Sequence, residues 1–193
     1  MEKIRVAVVG YGNIGKYALE ALQKAPDMEC AGIVRRNASA DGIREIEKYH
    51  VTSDIRDLGK VDVAILSTPS RSVQSKALEY LSMGISTVDS FDIHSGIVDL
   101  RRTLDPVARE HGAVSIISAG WDPGTDSVVR ALVSGMAPEG VTYTNFGPGR
   151  SMGHTVVAAS KPGVVKALSM TIPAGKGRHN REVYVELRED ADF

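Results

Sequence analysis

Short apolar runs rich in β-branched residues alternate with longer stretches whose apolar residues recur every three or four positions. The runs cover 4–9, 28–34, 61–66, 85–88 and 113–118, and each predicts a buried strand. Between them, 14–24 carries Ile14, Ala18, Ala21 and Leu22 at helical spacing, and 41–49 predicts a polar helix with Ile43 and Ile46 on one side. Further helices are predicted over 73–83, over 97–111 with an interruption or kink near Pro106, and over 126–136. Strands that alternate with helices imply an α/β fold: a parallel sheet covered on both faces and joined by right-handed crossovers. In such sheets ligands gather outside the carboxyl ends of the strands, which selects the loops to read for chemistry.

After Pro138 the pattern changes. Residues 141–146, 169–172 and 182–187 predict strands of an antiparallel or mixed sheet, joined by the glycine-rich loops GPGRSMGH and PAGKGRHNR. The expected organisation is a Rossmann-type nucleotide-binding domain over 1–125, then an incomplete α+β domain over 126–193. Three strands make a thin domain. It is expected either to pair with another chain or to be a cut-short portion of a larger one.

Composition narrows the partners. With 23 basic and 24 acidic residues the formal net charge is −1, so bulk electrostatics draws in neither nucleic acid nor an anionic membrane. The single cysteine, Cys30, sits in an apolar run and reads as a buried inert thiol suited to a reducing cytoplasm. The opening apolar run is too brief for a signal peptide, and no stretch approaches bilayer length. The five histidines show no metal-ligand spacing, and one cysteine cannot build a zinc site, so no metal is expected. His154 and His179, in the glycine loops, read as solvated polar residues or as members of a site.

The first loop, Gly10-Tyr11-Gly12-Asn13-Ile14-Gly15, is a G-x-G-x-x-G that follows a predicted strand and opens a predicted helix. That context points to a dinucleotide: Gly10 for the tight turn, Gly12 for close approach of a pyrophosphate, Gly15 for helix-on-strand packing. A site for NAD usually places an acid at the end of the second strand. Here that strand ends in Arg35-Arg36, and two guanidiniums suit a 2′-phosphate, so NADP is the expected cofactor. Solvated surface arginines are the plainer alternative. The remaining strand-end loops are Ser67-Thr68-Pro69-Ser70, Ser90-Phe91-Asp92 and Ala119-Gly120-Trp121-Asp122-Pro123. All fall on the expected nicotinamide edge, although Ser, Pro and Asp also favour ordinary turns.

Asp92 and Asp122 end the fourth and fifth predicted strands. As a pair they would hold an ammonium group and accept its proton, with Trp121 excluding water. Singly, each could instead cap a helix, Asp92 ahead of Ile97 and Asp122 ahead of Thr125. Farther on, Phe146, Met152, Thr171 and Arg181 are candidate substrate contacts. Arginine with threonine makes a carboxylate cradle. Core packing for Phe146, strand propensity for Thr171 and plain surface charge for Arg181 remain open alternatives.

VAVVGYGNIG, IVRR, TVDSFDIH, SAGWDPGTDS and FGPGRSMGH, in that order, resemble meso-diaminopimelate D-dehydrogenase, most closely its thermophilic, Symbiobacterium-like branch. GWDPG and the GPG-x-S-x-GH loop carry more of the resemblance than the glycine fingerprint. The resemblance implies reversible, NADP-dependent oxidative deamination of the D-centre of meso-2,6-diaminopimelate. The products would be L-2-amino-6-oxopimelate, which cyclises to tetrahydrodipicolinate, with ammonia and NADPH, in lysine and diaminopimelate biosynthesis. It also implies a homodimer. The glycine loop, Arg35, Arg36 and the strand-end loops match the family's cofactor contacts; Asp92, Asp122, Phe146, Met152, Thr171 and Arg181 match its substrate contacts. The family continues past position 193, so a truncated chain or a split subunit is expected. Two rivals stay open: an NADP-binding fragment or half of a two-chain enzyme, and another Rossmann reductase such as a dihydrodipicolinate reductase or a sugar dehydrogenase.

Overall fold

The computed structural model describes residues 2–40, 42–140, 149–175 and 178–191. The chain divides into two compact units, Met1–Leu132 and Val133–Phe193. In the first, six strands run in the order β3-β2-β1-β4-β5-β6: β1 (Ile4–Val9), β2 (Met28–Val34), β3 (Val51–Thr52), β4 (Val63–Leu66), β5 (Ser86–Asp89) and β6 (Ser115–Ile116). Every pair is parallel. The helices are α1 (Asn13–Lys24), α2 (Ser70–Leu81), α3 (Ile97–Glu110) and α4 (Thr125–Met136). Strand order reverses between β1 and β4, and this switch point opens a crevice at their carboxyl ends.

Strand alternation builds two cores. Ala7, Val9, Ala64 and Leu66 pack with Val73, Ala77, Tyr80 and Leu81 of α2 and with Leu100, Leu104 and Ala108 of α3. Val6, Val8 and Ile33 face the other way, onto Leu19 and Leu22 of α1 and onto Ile46. The α1 face differs from the one the apolar spacing suggested: Gly15, Leu19 and Leu22 are buried, while Ile14 is exposed. The glycine sets this phase, because helix and strand touch where it has no side chain.

Three further elements depart from expectation. The helix predicted over 41–49 is only a 3-10 turn, Arg44–Ile46, since one turn is enough to bury Ile46 and the segment has little else to bury. Strand β3 has two residues, too few to show a period, and is held by Ile33↔Val51 and Val34↔Thr52. α3 runs unbroken through Pro106. Cys30 is half-buried, and burial pushes its thiol up, which keeps it protonated and inert. Among the described residues, no helix is long and apolar enough to cross a membrane.

The second unit contains β7 (Gly149–Arg150), α5 (Met152–Ala159), β8 (Val164–Gly175) and β9 (Arg178–Leu187), with an antiparallel sheet in the order β7-β8-β9. The predicted strand 141–146 lies outside the described residues. Strand 169–172 lies within the much longer β8 and 182–187 is the C-terminal part of β9, and Met152, expected in a loop, opens a helix instead. α5 is stitched to β8 by polar bonds. The Thr155 hydroxyl donates to the Ser151 carbonyl (2.7 Å) and accepts from the Ser169 N–H (2.9 Å), and the Ser151 N–H donates to the Ser169 carbonyl (2.7 Å). Leu168, Val183, Tyr184 and Val185 remain exposed, so β8 and β9 extend because they pair with each other, not because they bury a core.

Candidate functional site

The glycine loop after β1 is a close-packed turn with one open side. An ideal Cβ on Gly10, whose φ is +90°, would lie 2.5 Å from the Ser67 carbonyl oxygen and 3.2 Å from Thr68 Cγ2. A Cβ on Gly15 would collide with the Gly10 carbonyl oxygen, whereas one on Gly12 would meet nothing within 4 Å. Gly12 is the N-cap of α1, so the helix's first N–H groups have no partner within the helix and point to that open side. Asn13 and Ile14, exposed on the first turn, border the same space, and Tyr11 is half-buried beside it.

The loop after β4 adds hydroxyls without partners. Ser67 Oγ and Thr68 Oγ1 are buried and hydrogen-bonded to nothing among the described residues. Unpaired buried hydroxyls next to an open helix N-terminus fit a phosphate- and ribose-bearing ligand, so a dinucleotide suits the residues present. Pro69 caps α2. At the end of β2, Arg35 Nη1 donates to the Ser39 carbonyl at 3.1 Å, while Arg36 is exposed and unpaired among the described residues.

Asp89 at the end of β5, which the sequence reading passed over, holds the next two loops together. It is 2% exposed. Its Oδ1 accepts from the Phe91 N–H (2.9 Å) and the Ser118 N–H (3.0 Å), and its carbonyl accepts from the Ala119 N–H (2.7 Å). The only signal was its position, an acid closing an apolar strand. Asp89→Ala strands two amide donors and is expected to cost about 3 kcal/mol, read as a shift in the denaturation midpoint. Asp89→Asn keeps the acceptor and should cost about 1 kcal/mol or less. Ser90 lies against the next loop, since a Cβ on Gly120 would come within 3.3 Å of Ser90 Cβ. The Phe91 ring is buried in the core, which leaves only its backbone for a ligand.

Neither Asp92 nor Asp122 caps a helix. Asp92 Oδ1 accepts from Ser70 Oγ at 2.6 Å. The first N–H groups of α4 go to backbone: Thr125 to the Gly120 carbonyl (3.0 Å) and Asp126 to that of Trp121 (2.8 Å). Asp122 Oδ1 instead receives Arg130 Nη2 at 2.8 Å and Ser127 Oγ at 3.4 Å. Arg130 Nε also stands 3.2 Å from Asp126 Oδ2. On each candidate carboxylate, then, Oδ1 is held by the protein. Oδ2 has no partner among the described residues. Between the two lies His94, which the sequence reading did not single out: Nδ1 is 3.0 Å from the Asp92 carbonyl and Nε2 is 3.7 Å from Asp122 Oδ1. Its signal was spacing, two positions after Asp92. Trp121 is 64% exposed on the turn, and the peptide between Asp122 and Pro123 is cis.

In the second unit, Thr171 on β8 lies opposite both Gly149 and Arg181. Arg181 donates from Nη1 to Ser151 Oγ (3.0 Å) and from Nη2 to His179 Nε2 (3.1 Å), and Ser151 Oγ is 2.8 Å from His154 Nδ1. The strand pairing thus gathers Thr171, Arg181, Ser151, His154 and His179, of which the sequence named the first two as carboxylate ligands. Phe146 lies outside the described residues; Met152 opens α5. Among the described residues no cluster of three or more His, Cys, Asp or Glu could hold a metal.

Comparison with known proteins adds to this geometry. Residues 4–88 match the oxidoreductase family with an NAD-binding Rossmann fold, and residues 120–177 match the diaminopimelic acid dehydrogenase C-terminal domain. The chain is 62% identical, over all 193 residues, to the meso-diaminopimelate D-dehydrogenase of Bacteroides fragilis, and spans 64% of that protein's length. Among solved structures it is similar to the C. glutamicum DAP dehydrogenase in complex with DAP. There the TM-score is 0.83 at 32% identity, with 97% of this chain and 63% of that one covered. It is also similar to an engineered D-amino acid dehydrogenase bound to NADP+, with a TM-score of 0.81, 31% identity, and 97% and 63% coverage.

Proposed function

Because this chain is related over its whole length to the meso-diaminopimelate D-dehydrogenases, we propose that it carries out the NADP-dependent oxidative deamination of the D-centre of meso-2,6-diaminopimelate. The products are L-2-amino-6-oxopimelate, which closes to tetrahydrodipicolinate, together with ammonia and NADPH. The reaction is reversible and serves lysine and diaminopimelate biosynthesis in the cytoplasm, with a homodimer as the working form. Residues 1–125 form the cofactor domain, and 126–193 belong to the substrate and dimerisation domain.

One observation carries the reading. Asp92 and Asp122 follow adjacent parallel strands, on the sheet edge that also holds the glycine loop, and each keeps one carboxylate oxygen unengaged among the described residues. Two such oxygens suit an ammonium, which is a cation with three donors. A nicotinamide, when bound, would supply a hydride acceptor at C4. The remaining work falls to side chains. Asp92 and Asp122 orient the amine, and Trp121 covers it from water. Gly10, Gly12, Gly15 and the α1 N-terminus hold the pyrophosphate, Ser67 and Thr68 hold ribose hydroxyls, and Arg181 with Thr171 holds a carboxylate. Phe146 and Met152 complete the substrate contacts.

The test is reduction of NADP+ by purified protein, followed by nicotinamide absorbance, with meso-diaminopimelate as substrate and the L,L isomer as control. Turnover with the meso isomer alone is expected. NADPH binding without turnover would favour a cofactor-binding fragment, and turnover without ammonia release would favour a different Rossmann reductase. Cofactor choice has its own test. Arg35→Ala with Arg36→Ala removes two charge-assisted grips and is expected to weaken NADPH about 100-fold and NADH less than about threefold, measured by calorimetry. Equal losses would remove the 2′-phosphate role.

A further inference from the structure

Oxidative deamination needs a free amine. The C–H hydride leaves only when a nitrogen lone pair can push into the new C=N bond, so the bound ammonium must first lose a proton. Carboxylates attract an ammonium but are in general weaker bases than an imidazole, by about 2.6 pKa units for aspartate in free peptides. We propose that His94 is a further catalytic residue, the base that takes the D-centre amine's proton on Nε2; this rests on the reaction proposed above.

The geometry assigns the ring's proton. His94 Nδ1 lies 3.0 Å from the Asp92 carbonyl oxygen, and a carbonyl can only accept. Nδ1 therefore carries hydrogen, and in the neutral ring Nε2 presents its lone pair. That nitrogen stands 3.7 Å from Asp122 Oδ1, beyond hydrogen-bond reach. Nor is Oδ1 waiting for an imidazole proton, since Arg130 Nη2 at 2.8 Å already occupies it. A lone pair and a carboxylate thus stand side by side with no donor between them among the described residues, and the ring is 64% exposed to an incoming group. An ammonium satisfies both at once. Among the described residues, the charged groups that face the ring or its partners are Asp92 on its own loop, Asp122 on the turn before α4, and on α4 Arg130, itself paired with Asp126, with Ser70 of α2 fixing Asp92.

The step balances. An ammonium N–H bond breaks, its proton bonds to Nε2, and the electron pair stays on nitrogen. The Cα hydride then leaves for the oxidised nicotinamide, which is reduced as the carbon is oxidised, and the nitrogen pair forms an iminium. Water adds to that carbon and ammonium departs. His94 returns its proton to solvent.

Two measurements test the assignment. Two-bond 1H–15N correlation on the labelled protein, at the pH of the assay, should show His94 neutral with hydrogen on Nδ1. A neutral ring protonated on Nε2, or a doubly protonated ring, overturns the proposal. In turnover, His94→Gln can accept from an ammonium but cannot carry its proton. The variant should keep KM for meso-diaminopimelate within about threefold while kcat falls about 100-fold or more. His94→Ala should recover part of that loss when imidazole is added, which a structural role would not allow. If wild-type protein oxidises meso-diaminopimelate and His94→Gln keeps its kcat, the base assignment falls and the proposed reaction stands. If wild-type protein shows no meso-specific turnover, both fall.

Discussion

Gly124→Ala is expected to destabilise the first unit by about 3–5 kcal/mol and to draw Asp122 away from Arg130. Glycines 120 and 124 form an isolated bridge that closes the GWDPG turn. A Cβ on Gly124 would overlap the Gly120 carbonyl oxygen and lie 2.5 Å from its carbon and 2.8 Å from Gly120 N, all of it backbone that no rotamer change can move aside. The φ of +144° adds a conformation that alanine resists. Because Trp121, Asp122 and Pro123 ride on this closure, strain there is also a loss of site geometry. Urea denaturation should show a lower midpoint. A variant as stable as wild type would mean that the turn relaxes without its bridge.

Gly15→Ala and Gly12→Ala are expected to part company. At Gly15 a Cβ would collide with the Gly10 carbonyl oxygen and stand 3.1 Å from its carbon, so alanine must push α1 off β1. A stability loss of about 3 kcal/mol should follow, together with loss of NADPH binding. At Gly12 φ is −99°, a value any residue adopts, and a Cβ would meet nothing within 4 Å. Gly12→Ala should therefore fold with a melting temperature close to that of wild type, yet bind NADPH at least about tenfold more weakly, because the new methyl would enter the space proposed above for the pyrophosphate. Scanning calorimetry and nucleotide titration separate the two. If Gly12→Ala binds NADPH normally, the open side of the loop is not the phosphate seat.

The GWDPG stretch shows how much of this site could be read in advance. A glycine before and after an acid-proline pair, directly after an apolar run, marks a tight turn at a strand end, and the structure has one there. What the acid does was not readable. A helix cap and a ligand for an amine ask for the same residue at the same place, and the cap was ruled out only by contacts made elsewhere: the first N–H groups of α4 go to backbone carbonyls, and Arg130, eight positions away, reaches back to Asp122 Oδ1. Asp89 was silent for a similar reason. Its role is to hold the Phe91 and Ser118 amides, and the second of these reaches it only through β5–β6 pairing.

By itself, the amino-acid sequence determined the alternation of strand and helix, the parallel sheet, and the G-x-G-x-x-G turn at the head of α1. Each of these is set by local spacing, either of apolar side chains or of glycines that must sit where no Cβ fits. Strand order, the two-residue β3, the buried phase of α1 and the long β8–β9 hairpin were decided by tertiary structure, because each depends on which distant backbone supplies hydrogen-bond partners. The same holds for the cluster of Asp92, His94, Asp122 and Arg130. Its members come from the loop after β5, the turn before α4 and α4 itself, and only the register of parallel strands brings a ring nitrogen within 3.7 Å of a carboxylate 28 residues on.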